Sequence, residues 1–262
     1  MPIIFGPAGI GPVKTAVKVL EAYRARGLKA CEIAFTYSAY IKPGECPVIR
    51  EAAKKLGIEL SIHAQYWVNL NAAEKEKREA TKQRILQCCE IGELLGAKVV
   101  VFHPGYYTDG GTSNELRERS YLMIKQGVLE LMGELKKYGW KIQIAPETMG
   151  KINVFGSTEE ISRLVRETGC SFCIDFAHIL AREKKVDYME IREAFPQREW
   201  HVHFSGIVYG EKGERHHIPT EKAAWKELLE HLPRDKHIRI INESPQMVED
   251  SVVGLKIYER FA

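Results

Sequence analysis

A chain of 262 residues with 45% hydrophobic, 9% aromatic and 28% charged residues is long enough to bury a full core, which sets aside a disordered chain and a membrane-embedded one. Thirty-eight basic residues against 35 acidic ones give a net charge of +3, which permits a polyanionic partner without requiring it. The opening Met-Pro-Ile-Ile-Phe-Gly lacks a basic segment followed by a long apolar run, so secretion and membrane association are not expected and the cytoplasm is the expected compartment. Six cysteines in a chain that needs no staples point to reduced thiols. Cys170-Ser-Phe-Cys173 has zinc-knuckle spacing but no second Cys-x-x-Cys, and Cys173 stands in an apolar run, so core packing is expected.

In chain order, short apolar runs at 3–5, 30–35, 59–63, 98–103, 141–147, 171–175, 200–204 and 237–242 predict eight strands. Apolar residues at three- and four-residue spacing predict helices between them, for example over 15–26, 74–95, 115–138, 158–167 and 221–230. Gly27, Gly57, Gly96, Gly139 and Gly169 each stand where a helix pattern gives way to a strand, and Ser157 precedes Glu159-Glu160 as an N-cap would. No linker or low-complexity tract interrupts the series, so residues 1–262 are expected to form one domain. Eight βα units close most naturally into a (β/α)8 TIM barrel, although an open doubly wound sheet leaves the same local signals.

Six strands end on chemistry-bearing residues: His63, His103, Glu147, Asp175, His203 and Glu243. In a barrel all strand C-termini meet on one face, so these side chains would converge on one cavity. Three carboxylates brought together need a cation, and imidazole nitrogen with carboxylate oxygen suits zinc, manganese or iron(II). His178, Glu214 and His216 would complete a second cluster, the last two from a Gly-flanked polar loop after strand seven. His217, His231 and His237 have no evident partners. His201 shares strand parity with His203, and His203 is favoured because Phe-Ser-Gly after it opens the loop. Phe5-Gly-Pro-Ala-Gly-Ile-Gly lacks the Lys-Ser/Thr of a phosphate-binding P-loop and reads as a barrel-end loop.

Taken in order, His, His-Pro-Gly, Glu-Thr, Asp-x-x-His, His-x-Ser, Glu-Arg-His and Asn-Glu-Ser-Pro resemble the motifs of the endonuclease IV family of apurinic/apyrimidinic-site nucleases, from about residue 60 to 245. The resemblance implies a barrel holding about three zinc ions that hydrolyses the phosphodiester 5′ to an abasic site in damaged double-stranded DNA, in base excision repair. It implies that His63, His103 and Glu147 hold one ion, with Glu147, the catalytic carboxylate, bridging to a second bound also by Asp175, His203 and Glu243. His178, Glu214 and His216 would hold the third. Tyr66 and Trp67, just past His63, would push into the duplex at the lesion, and a monomer is expected. The family usually has Asp where Glu214 stands, has a longer turn than Thr148-Met149-Gly150, and carries an Asn-x-Arg-x-Trp segment that is missing after strand two. The alternative is a sugar isomerase or epimerase in which Glu147, Asp175, His203 and Glu243 hold one divalent ion, which leaves His178, Glu214 and His216 without a task. A third class is a catalytically idle metal- or nucleic-acid-binding module.

Overall fold

The computed structural model describes residues 2–261. Eight parallel strands form the centre: β1 (Ile3–Pro7), β2 (Ala30–Ala34), β3 (Glu59–His63), β4 (Val99–Phe102), β5 (Gln143–Pro146), β6 (Cys173–Asp175), β7 (Glu199–Phe204) and β8 (His237–Asn242). They pair in the orders β2-β3-β4-β5 and β6-β7-β8-β1. A parallel bridge between Glu147 and Cys173 joins β5 to β6, and at the other seam the Lys29 N–H donates to Phe5 O at 3.0 Å. The ring therefore closes as a (β/α)8 barrel. A glycine makes the second seam possible, since a Cβ on Gly6 would fall 1.8 Å from the carbonyl oxygen of Ala30.

Strand β4, Val-Val-Val-Phe, is buried along its whole length, as a parallel strand sandwiched between barrel interior and helices must be. The outer layer comprises α1 (Ala16–Ala25), α2 (Cys46–Leu56), α3 (Lys75–Leu95), α4 (Asn114–Tyr138), α5 (Thr158–Thr168), α6 (Phe176–Glu183), α7 (Tyr188–Ala194), α8 (Lys222–His231) and α9 (Met247–Tyr258). Helix α5 starts in a capping box, Ser157 with Glu160, and ends on Gly169 at φ 76°. The main apolar core lies between strands and helices. Inside the barrel, Val99, Val101, Ala145 and Cys173 form one small cluster and Ile4, Ala30 and Ile241 another. All six cysteines are free and buried. Among the described residues no helix is long and apolar enough to cross a membrane.

The segment after β7 departs from expectation. Residues 206–218 form an antiparallel hairpin, Gly206–Gly210 against Gly213–Ile218, where the sequence pattern predicts a loop. Its ladder pairs Val208 with His216 but Tyr209 with Glu214, so Arg215 is an extra, bulged residue.

Candidate metal centre

The strands end where the sequence placed the donors, and side-chain alternation turns them into the barrel mouth. Glu147, immediately past β5, is the hub. Its Oε2 lies 3.3 Å from His63 Nε2 and 3.2 Å from His103 Nε2, while its Oε1 lies 2.9 Å from His203 Nδ1. One carboxylate thus faces two groups of donors, the position a bridging ligand needs. Glu243 Oε2 approaches the same His203 Nδ1 at 3.4 Å, and Glu147, Asp175, His203 and Glu243 offer donor atoms all within 4.8 Å of one another.

Asp175 ends β6 and caps α6: its Oδ1 accepts from the His178 N–H at 2.8 Å. Its Oδ2 is buried without a hydrogen bond. His178 Nδ1 stands 3.4 Å from that oxygen but gives its proton to Thr148 O at 3.0 Å. A buried carboxylate oxygen left without a donor, beside two further carboxylates and a ring nitrogen, is the arrangement a divalent cation satisfies.

Two of the imidazoles are fixed in orientation by backbone carbonyls. His63 donates from Nδ1 to Ala64 O at 2.7 Å and His178 from Nδ1 to Thr148 O, so in each neutral ring the Nε2 lone pair faces carboxylates. His178 Nε2 lies 3.4 Å from Glu214 Oε2.

The third member of that group is His217, not His216. His178, Glu214 and His217 offer donor atoms within 4.8 Å, and the His217 ring is held by Ser205 Oγ at 2.5 Å from its Nδ1. In a regular strand Glu214 and His216 would share a face. The bulge at Arg215 reverses the parity, so Glu214 and His217 face the cavity while His216 is exposed. The expectation that His217 has no partner is corrected by the same feature.

Glu32, which drew no notice in the sequence, is the other addition. It is fully buried inside the barrel, with Oε2 2.9 Å from His201 Nε2 and Oε1 3.0 Å from His203 Nε2. Both histidines of β7 therefore point inward, and of the two it is His203 that reaches the donor cluster around Glu147.

Electrostatics follow from this crowding. Burial works against ionisation of Glu147, but the charge of His203 and hydrogen bonds from His103, His203 and His63 outweigh it and hold the carboxyl well below the usual range. Glu243 is likewise drawn to about 2, the charge of His203 overcoming burial. Asp175 moves up, because burial and the charges of Glu147 and Glu243 exceed the help from His178. His63 and His178 rise to about 9 against their burial, drawn by Glu147 and by Asp175 respectively.

A cavity of about 430 Å³ opens above this cluster, lined by His63, His103, His178, Glu214, His217 and Glu243, with Lys151 at its edge. Tyr66, 49% exposed, lines it as well, and Trp67 is 38% exposed beside it. The two rings meet edge to face at 5.0 Å, and Tyr37 from the loop after β2 joins them at 6.1 and 6.2 Å.

Several known proteins are similar to this chain. An uncharacterized protein of Methanocaldococcus jannaschii is 32% identical over 98% of this chain and 97% of its own length. A probable endonuclease 4 of Mycobacterium leprae is 25% identical over 52% of this chain, which spans about half (53%) of that relative. Among solved structures, endonuclease IV from Thermus thermophilus superposes with a TM-score of 0.71 at 22% identity, covering 99% of this chain and 100% of its own. A D-psicose 3-epimerase superposes with a TM-score of 0.69 at 16% identity, covering 94% and 92%. These two likenesses carry the barrel, not a choice between nuclease and epimerase. Residues 20–254 match the family described as xylose isomerase-like TIM barrel, and with its closed eight-stranded barrel and its cluster of donors at the strand ends the chain belongs to that family.

Proposed function

We propose that this protein is a zinc-dependent phosphodiesterase that cuts DNA 5′ to abasic sites, with about three ions per chain, acting as a monomer in the cytoplasm. The observation that carries this reading is the second donor set. His178, Glu214 and His217 stand beside the first set and touch it through His178 Nδ1, 3.6 Å from Glu147 Oε1. A single-ion isomerase has no task for that trio.

His63 and His103 with Glu147 would hold one ion, Glu147 with Asp175, His203 and Glu243 a second, and His178, Glu214 and His217 the third. Ions so held supply Lewis acidity toward a phosphoryl group and favour hydroxide at neutral pH. The chain's own residues do the rest. The Glu147 carboxylate stays ionised and presents one oxygen to each side. Lys151 places a positive charge at the mouth where a phosphate would enter. Tyr37, Tyr66 and Trp67 offer aromatic faces at the rim for bases that flank a lesion, where stacking has already been lost.

Glu147, Asp175, His203 and Glu243 alone suffice for one ion, and the likeness to a ketose epimerase makes sugar epimerisation the second reading. Elemental analysis of the purified protein, run beside nicking of a duplex with one abasic site and conversion of D-fructose, separates the two. About three ions and a nick on the 5′ side are expected. One ion, unaffected by His217→Ala, together with ketose turnover would replace the first reading by the second.

A further inference from the structure

Strand β2 carries a carboxylate in the barrel interior, where branched apolar side chains usually stand. Ala34 lies in register with His63 at the level of the donor cluster, and Glu32 lies in register with Ser61 one layer deeper. Glu32 is completely buried, and removing an ionised carboxylate from water costs several kcal/mol unless hydrogen bonds and charge offset it. Two donors hold its Oε2: Ser61 Oγ–H at 2.8 Å and the His201 ring at 2.9 Å, through Nε2. The other oxygen, Oε1, lies 3.0 Å from His203 Nε2, yet the contact does not have hydrogen-bond geometry, so both buried atoms stand without a hydrogen bond.

His203 is the odd member of the imidazole set. His63 and His178 turn Nδ1 to a backbone carbonyl and Nε2 to the cavity. His203 is reversed: Nδ1 faces Glu147 Oε1 at 2.9 Å and Glu243 Oε2 at 3.4 Å, and Nε2 faces back to Glu32. A neutral imidazole has one proton and one lone pair, so an acceptor behind Nε2 decides which nitrogen is free to ligate. Backbone carbonyls make that decision for the other two rings. For His203 the group that stands behind Nε2 is the carboxylate of Glu32, by charge and proximity and not by a formed hydrogen bond.

We propose that Glu32 is a positioning residue: anchored by Ser61 and His201, it keeps the His203 proton on Nε2 and thereby presents Nδ1 to the ion shared by Glu147, Asp175 and Glu243. His201 acquires a task by the same route. It holds the carboxylate that orients His203, which is why two inward-facing histidines are spaced two apart on one strand. The inference rests on the metal-centre reading.

The test uses the full chain stripped of metal and titrated with zinc against a chromophoric chelator, as wild type and as Glu32→Gln. The amide keeps the volume but loses the charge that selects the tautomer. One ion is expected to bind roughly 10- to 100-fold more weakly in the variant while the others keep their affinity, the cost usual for an outer-shell partner of a ligating histidine. Unchanged affinities would overturn the proposal, even if the variant melts at a lower temperature, because Glu32 would then be packing alone. Uniform weakening of every ion would also overturn it. A second measurement needs no variant: histidine-selective ¹⁵N NMR of the zinc-loaded wild type should find the His203 proton on Nε2, and a proton on Nδ1 would refute the assignment. Wild-type protein that takes up no zinc would remove the metal-centre reading itself, an outcome distinct from the other three.

Discussion

Both ends of the barrel bury charge, but they balance it differently. At the N-terminal floor Arg239, 3% exposed, meets Glu199 at 3.0 Å and Glu59 at 3.4 Å, and Glu59 also faces His237 Nε2 at 3.0 Å. Cation and carboxylates arrive there from β8, β7 and β3, and Glu199 reaches water. At the mouth Glu147, Asp175 and Glu243 converge, and among the described residues their ion-pair partners are imidazoles. An imidazole can offset a carboxylate only by carrying a proton, and it can equally release that proton and ligate. The floor therefore carries its own cation, whereas the mouth sets its carboxylates against rings that can either hold a proton or act as ligands. That division matches the general separation of stability and chemistry between the two faces of this fold.

Removing the hub of the mouth should have the largest effect. Glu147→Gln keeps the shape and deletes the charge that faces both donor groups. Cleavage of an abasic duplex should fall by about a thousandfold or more, the several kcal/mol that paired ions contribute to a phosphoryl transition state. Thermal stability measured in chelator should fall, since the imidazoles of His63, His103 and His203 lose the buried carboxylate that they face. Near-normal cleavage by this variant would detach the chemistry from the mouth.

The next test separates neighbours in the hairpin. His217→Ala should weaken one ion by more than the roughly hundredfold that an outer-shell loss can cost, and His216→Ala should leave metal content unchanged. The reverse result, read by metal analysis after dialysis against a weak chelator, would mean that the bulge at Arg215 does not set the face of this strand.

The same hairpin marks where sequence reasoning stopped. The eight strands were legible because buried parallel strands are short apolar runs between glycine-capped helices, and the donors were legible because each ends such a run. Gly213-Glu-Arg-His-His-Ile218 has neither an apolar run nor alternation, so nothing local reveals a strand, still less a bulge that exchanges His216 for His217. Glu32 left a trace that could have been read: one charge inside Ala-Cys-Glu-Ile-Ala, an otherwise apolar stretch, is the mark of an inward polar residue. Its partners could not be foreseen, because His201 lies 169 residues away and meets it only through barrel closure.

Breaking the floor should have a smaller and different consequence. Arg239→Met deletes the cation that Glu59 and Glu199 share, and should cost about 2 kcal/mol of stability, below the value for a fully buried pair because Glu199 is largely in water. Chemical denaturation measures it, with metal content as the control. A loss of zinc at unchanged stability would show that the two ends are not separate in function.

The smallest effect is expected at the rim, where neither end's charges are involved. Two buried aliphatic residues, Val68 and Leu70, pin the loop after β3, and the aromatic pair just before them is left outside. Tyr66 and Trp67 contact each other and Tyr37 instead of burying themselves against the following helix. Three rings in mutual contact resist rearrangement, so a base that stacks on them meets a surface already ordered. Because Tyr37 and Tyr66 remain when Trp67 is removed, the loss should fall at the low end of a stacking contribution, about 1 kcal/mol or roughly fivefold in Kd for an abasic duplex. No phosphate contact is deleted, so the dependence of binding on salt should keep its slope. Zinc content should also be unchanged. Equal binding of Trp67→Ala and wild type at matched salt would remove DNA from the role of the rim, while a changed salt slope would mean that Trp67 holds a basic residue in place and does not stack at all.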